Sequence, residues 1–119
     1  MPADPTTAAP EADRTIDLPP AVQRFRDAAR EQFGDRLERI VLYGSRARGD
    51  ARPDSDYDIA IFVRDLDNAY VEYKPLAALM MQILAVEDIE INAALHRADT
   101  WHAGASPLMR NIRKEGLEL

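Results

Sequence analysis

Seven residues, Tyr57-Asp58-Ile59-Ala60-Ile61-Phe62-Val63, constrain the fold more than any other stretch of this chain. They are rich in β-branched and aromatic side chains and follow a loop marked by Pro53, Asp54 and Ser55, so they read as a strand. Side chains alternate along a strand. Ile59, Ile61 and Val63 therefore turn toward a core, while Asp56 and Asp58 project from the opposite face. An apolar strand face has to be covered, which calls for helices or a second sheet.

The rest of the chain supplies helices. Val22, Phe25, Ala29 and Phe33 recur at helical spacing and predict a helix over 20–33, with Pro20 in the first turn and Gly34 as a stop. Residues 39–43 read as a strand ending at Gly44, and 45–50 as a short helical turn. The apolar stretch 68–85 reads as a helix with Leu76, Leu79, Met80 and Ile83 on one side; Pro75 falls near its start or kinks it. The alternating stretch 88–95 predicts a third strand, and 107–115 a last helix between Pro107 and Gly116. The sum is an α/β (α+β) domain: a small sheet flanked by helices.

The 119 residues suit one domain. Five of the eight prolines lie in the first 20 residues, where Ile16 and Leu18 are almost the only large apolar side chains. Such a segment buries too little surface to offset its ordering entropy, so 1–20 is expected to be a disordered Pro/Ala-rich tail and 21–119 the domain. The net charge of −6 argues against direct nucleic-acid binding, which needs a basic surface to neutralise phosphates. The absence of cysteine excludes thiolate metal sites and cysteine nucleophiles. No apolar run approaches the roughly 20 residues of a membrane span, and the N-terminus lacks signal-peptide features. A cytoplasmic protein without a membrane partner is the expectation.

The chemistry concentrates in Gly44-Ser45-Arg46-Ala47-Arg48-Gly49 and Asp54-Ser55-Asp56-Tyr57-Asp58. A glycine between a strand and a helical turn lets the backbone approach a ligand. The amides that follow it, with the Ser45 hydroxyl, suit phosphate oxygens. Asp56 and Asp58 on one strand face repel each other unless a cation lies between them. Mg²⁺ takes a few carboxylates together with waters and substrate phosphates. Glu90 is the candidate third carboxylate, since its strand parity points it away from the face of Ile89 and Ile91. Two other motifs fail. The glycine spacing of a P-loop is present, but Asp50 stands where Lys is required; Asp54, Asp56 and Asp58 copy an EF-hand start, but Ile59 replaces its glycine. Arg46 and Arg48 suit either triphosphate oxygens or a solvated helix face. His96 and His102 read as surface or strand-end residues, and Trp101 and the Met80-Met81 pair as core or interface.

Gly44-Ser45, then Asp56-x-Asp58, resembles the signature of the polymerase-β-like nucleotidyltransferase superfamily. The fuller strings Gly-Ser-Arg-Ala-Arg-Gly and Ser-Asp-Tyr-Asp-Ile look like its minimal nucleotidyltransferase (MNT) branch, as does Asn111-Ile112-Arg113-Lys114-Glu115-Gly116 near the C-terminus. The resemblance implies that fold, with a small mixed sheet. It implies ATP as substrate and Mg²⁺ as cofactor. Gly44 and Ser45, with Arg46 and Arg48, would hold the triphosphate; Asp56, Asp58 and Glu90 would bind the metal and carry the chemistry. The family usually has Asp where this chain has Glu90. Many members of this branch pair with HEPN-domain toxin ribonucleases in hetero-oligomers and neutralise them by transferring AMP to a tyrosine.

Two other functions use the same residues. A small-molecule nucleotidyltransferase of the aminoglycoside-modifying kind would share the catalytic groups and need additional structure for its acceptor. A non-catalytic antitoxin would block a HEPN toxin by occlusion, and Glu90 is the feature that favours it. The first reading, a protein adenylyltransferase, agrees best with a domain of about 100 residues, most of them needed for the triphosphate half, so that the acceptor side is completed by another protein.

Overall fold

The structure is a computed structural model and describes residues 17–103 and 106–119. The elements run α1 (Pro20–Phe33), a 3₁₀ turn (Gly34–Arg36), β1 (Leu37–Tyr43), α2 (Ser45–Arg48), β2 (Tyr57–Val63), α3 (Ala69–Glu87), β3 (Ile91–Arg97), α4 (Thr100–Ala103), α5 (Pro107–Glu115) and β4 (Leu117–Glu118). Their order in the sheet is β3-β2-β1-β4. β1 pairs antiparallel with β2 and β4, while β2 pairs parallel with β3. The mixed sheet expected from the sequence is present.

The alternation of β2 sorts its side chains as expected. Ile59, Ile61 and Val63 are fully buried with Ile40 and Leu42, under Val22, Phe25, Ala29 and Phe33 of α1 and Leu76 and Ile83 of α3. Leu79 and Met80 pack at the margin of that cluster. The opposite face carries Val41, Ala60 and Phe62 and is covered by Met109 and Ile112 of α5. β2 is thus buried on both faces, as befits a strand next to a parallel neighbour. Trp101 meets the Phe62 ring edge-on at 5.3 Å, and His96 stacks on it at 5.2 Å. His96 is thus a strand-end residue, half-buried near the end of β3; burial lowers its pKa, and its Nε2 has no hydrogen-bond partner among the described residues.

Several boundaries depart from the sequence reading. Leu18 is buried in the core, and its carbonyl accepts from Gln23 Nε2 at 2.8 Å, so the packed part begins before residue 21. Residues 1–16 of the expected tail lie outside the described residues. The predicted strand 88–95 begins late: α3 continues to Glu87, Asp88 caps it at φ 57°, and β3 starts only at Ile91. Aspartate tolerates that left-handed conformation better than most residues, which lets the helix overrun the expected edge. Pro75 lies in the second turn of α3 with its ring exposed, and the helix goes without one backbone hydrogen bond there. β4 and α4 had no sequence signal strong enough to register, being two and four residues long.

Candidate functional site

β1 ends at Tyr43 and the chain turns at once. Gly44 takes φ 78° and ψ −158°, a conformation closed to most residues with a side chain. Tyr43 pairs with Asp58 across the β1–β2 hairpin, so the turn passes directly over the start of β2. A Cβ built on Gly44 would overlap Asp58 Oδ2 and lie 3.3 Å from Asp58 Cγ. Only glycine lets the carboxylate come this close. α2 then starts at Ser45, with the amides of Ala47 and Arg48 both 3.0 Å from the Gly44 carbonyl. The amides that head a helix have no partner within it, which leaves those of Ser45 and Arg46 for other acceptors. Gly49 ends the short helix at φ 90°.

The second half of the site comes from the start of β2 and its parallel neighbour. Asp58 pairs in register with Asn92, and Asn92 Nδ2 donates to Asp56 Oδ2 at 2.6 Å. Glu90 lies one residue ahead of β3; its carbonyl accepts from the Tyr57 amide at 2.9 Å, and its exposed carboxyl comes within hydrogen-bonding reach of Asp56. Among the described residues no three His, Cys, Asp or Glu side chains gather into a metal cage. Asp56 and Asp58 instead offer a two-carboxylate edge beside the glycine turn. That donor set fits Mg²⁺, which completes its octahedron with waters and phosphate oxygens.

The electrostatics are those of crowded negative charge. Burial pushes the Asp58 carboxyl above its ordinary value and the Asp56 charge adds to the shift, while the Asn92 amide and Arg48 oppose it. The Asp56 charge raises Glu90, with burial and a hydrogen bond to Asp56 contributing. Burial also raises the Tyr43 hydroxyl, with Asp58 and Glu115 adding to it. A site that strains to hold its own carboxylates ionised is one that a divalent cation relieves.

The two arginines divide their work. Arg46 turns back into the loop: its guanidinium donates to the Ser55 carbonyl at 2.9 Å and the Pro53 carbonyl at 3.1 Å, and lies 4.3 Å from the Tyr57 ring centre. It clamps the segment that delivers Asp56. Arg48 is exposed and pairs with Asp50 and Glu115, each at 3.3 Å. A cleft of about 580 Å³ opens beside the Arg46 loop, bounded by Arg46, Ser55, Tyr57, Leu84, Ile89 and Glu90; Asp56 and Asp58 do not line it.

The profile of the nucleotidyltransferase domain family matches residues 22–103, which include every one of these groups except Glu115. The chain belongs to this family. A relative from Methanocaldococcus jannaschii, named as a candidate protein adenylyltransferase, is 32% identical over 97 residues, covering 81% of this chain and 91% of that protein. The protein adenylyltransferase MntA of Aphanizomenon flos-aquae is 36% identical over 58 residues, 48% of this chain and 39% of the relative. The crystal structure of a toxin–antitoxin complex with AMP-PNP contains a chain of the same fold, with TM-score 0.54 and 20% identity over 81% of this chain and 70% of that one. The protein is thus a nucleotidyltransferase by family, with the fold that its sequence signature implies.

Within this nucleotidyltransferase the structure gathers Gly44, Ser45, Asp56 and Asp58 at one end of the sheet and sets Glu90 beside Asp56. Arg46 faces the loop and Arg48 stands at the rim. Sequence reasoning missed Asn92, although the parity argument that picked Glu90 selects Asn92 as well. It also gave no role to Tyr43 or to the Glu115 side chain. No helix among the described residues is long and apolar enough to cross a membrane.

Proposed function

We propose that this nucleotidyltransferase is an antitoxin-type protein adenylyltransferase, which transfers AMP from ATP to a tyrosine of a cognate HEPN toxin ribonuclease. The observation that carries the reading is the apposition of Gly44 and Asp58, a glycine turn packed on a carboxylate of the Asp56-x-Asp58 pair. The names of the two relatives and the shared signature favour a protein as acceptor.

On this reading Gly44 and Ser45 receive the triphosphate, and Asp56 and Asp58 would hold Mg²⁺, which would supply charge neutralisation for the phosphate oxygens and the leaving group. Asn92 keeps the Asp56 carboxylate oriented, and we assign Glu90, beside that carboxylate, to the acceptor. The tyrosine oxygen attacks the α-phosphorus in line, the bond from the α-phosphorus to the bridging oxygen breaks, and pyrophosphate leaves with that electron pair. The phenolic proton passes to a carboxylate of the site or to water. Glu90, whose exposed carboxyl lies beside Asp56, is assigned that role on this reading.

The test is co-expression of the chain with the product of its neighbouring gene, followed by the intact mass of that neighbour. The expected result is a gain of one or more AMP groups that disappears with the Asp56→Asn, Asp58→Asn double variant. A stable complex with no mass gain rejects transfer and leaves occlusion as the antitoxin mechanism.

A further inference from the structure

An acidic side chain from the C-terminal segment reaches the glycine turn from far along the chain. Glu115 Oε2 accepts the Gly44 amide at 2.8 Å, and both carboxylate oxygens of Glu115 lie 3.3 Å from Arg48 Nη1. The Glu115 side chain is only 21% exposed, so its bond to the Gly44 amide is partly shielded from water, while the Arg48 end of the pair is open to solvent. Several features aim it. Met109 and Ile112 seat α5 on the sheet. Gly116 follows, and a Cβ there would overlap both Val41 Cγ1 and the Ile112 carbonyl, so the helix end sits hard against β1. Leu117 and Glu118 then pair with Leu42 and Val41, the last turn's worth of strand before Gly44.

We infer that Glu115 is a positioning residue of the nucleotide site: it holds the Gly44 peptide in place and restrains Arg48, and so sets the shape of the phosphate turn before nucleotide arrives. The inference rests on the reading of Gly44-Ser45 as that turn. Glu115 acts through Gly44 and Arg48 and not on phosphate itself, because a carboxylate repels a triphosphate. It also lies outside the residues matched by the family profile. The catalytic half of the fold is therefore completed by the α5–β4 segment.

The two functions of the carboxylate separate chemically. Glu115→Gln keeps an oxygen for the Gly44 amide but removes one of the two carboxylate charges, Glu115 and Asp50, that hold Arg48. Glu115→Ala removes that oxygen as well. The full chain and both variants are titrated with ATP in the presence of Mg²⁺ by calorimetry. Gly44 amide exchange is followed by NMR, and each protein is melted. Glu115→Ala is expected to bind ATP about tenfold more weakly and to lose protection at Gly44, since a partly shielded, charge-assisted hydrogen bond is gone. Glu115→Gln is expected to keep that protection and bind several-fold tighter than the unsubstituted chain, with the gain abolished by adding Arg48→Met. Equal affinity and equal Gly44 exchange in all three proteins overturn the inference while leaving the nucleotide reading intact. So does a Glu115→Gln protein that weakens in step with its melting temperature, the behaviour of a mere structural prop. Should Glu115→Ala fail to fold, the pair Glu115→Gln and Glu115→Gln/Arg48→Met carries the same decision. Failure of the unsubstituted chain to bind ATP overturns the nucleotide reading, and this inference with it.

Discussion

The Asp58 carboxylate occupies the space that a side chain on Gly44 would fill. Residue 44 is also held at φ 78°, so two independent constraints select glycine. Gly44→Ala is expected to cost roughly 1–3 kcal/mol for the positive-φ backbone alone, and to push Asp58 from its place. Metal-dependent transfer should fall by about 100-fold or more, in line with the sensitivity of catalysis to ångström-scale displacement. Measurement of kcat/KM together with a melting curve checks this. A variant that melts lower but turns over normally contradicts the placement.

Asp58 is destabilising in the metal-free protein. Its folded pKa is raised, chiefly by burial, so within the titration window the folded chain binds more protons than the unfolded one. Stability therefore declines as pH rises from the ordinary carboxylate value through the raised one. Asp58→Asn removes the penalty and should raise the melting temperature at pH 7 by about 2–4 °C while abolishing transfer. The difference should vanish below about pH 4, where the native aspartate is itself protonated. A variant that melts below the unsubstituted chain at pH 7 refutes this account.

Arg46 clamps the loop that delivers Asp56, through the Pro53 and Ser55 carbonyls and the Tyr57 ring. Arg46→Met should leave global stability within about 1 kcal/mol, since the bonds are partly exposed. Amide exchange across residues 50–56 should rise about tenfold, with a matching loss of protease resistance there. Exchange unchanged in the loop, with ATP affinity lost, would place Arg46 on the triphosphate instead.

Gly116 has ordinary backbone dihedrals, φ −71° and ψ 150°, so its requirement is one of space alone. Gly116→Ala drives a methyl into Val41 and the Ile112 carbonyl. The expected cost is about 1–3 kcal/mol, as for other overpacked sites. Melting should reveal it, and Gly44 exchange should rise as the α5 end lifts. A neutral Gly116→Ala shows that α5 has room to move without disturbing the turn.

Much of this protein was legible locally. α1 took its predicted bounds, and the five buried residues on it include all four that helical spacing selected. The alternation of β2 placed Ile59, Ile61 and Val63 in the core and Asp56 and Asp58 on the other face, because strand parity is a property of the backbone and needs no partner. The glycine–serine turn and the aspartate pair were visible for the same reason: each lies within a few residues of the strand that orients it.

What only the tertiary structure decided is which distant groups meet these. The start of β3 depended on how far α3 ran, and neighbouring residues bias such boundaries only weakly. Asn92 joined the site because β3 pairs with β2 in parallel, in one register among several that alternation allows. Arg46 turned to the next loop, where its donors meet the Pro53 and Ser55 carbonyls. Glu115 met Gly44 across 71 positions of sequence. Periodicity reports the face on which a side chain lies; which partner stands opposite that face is determined by chain topology and close packing, and neither is encoded in a local window.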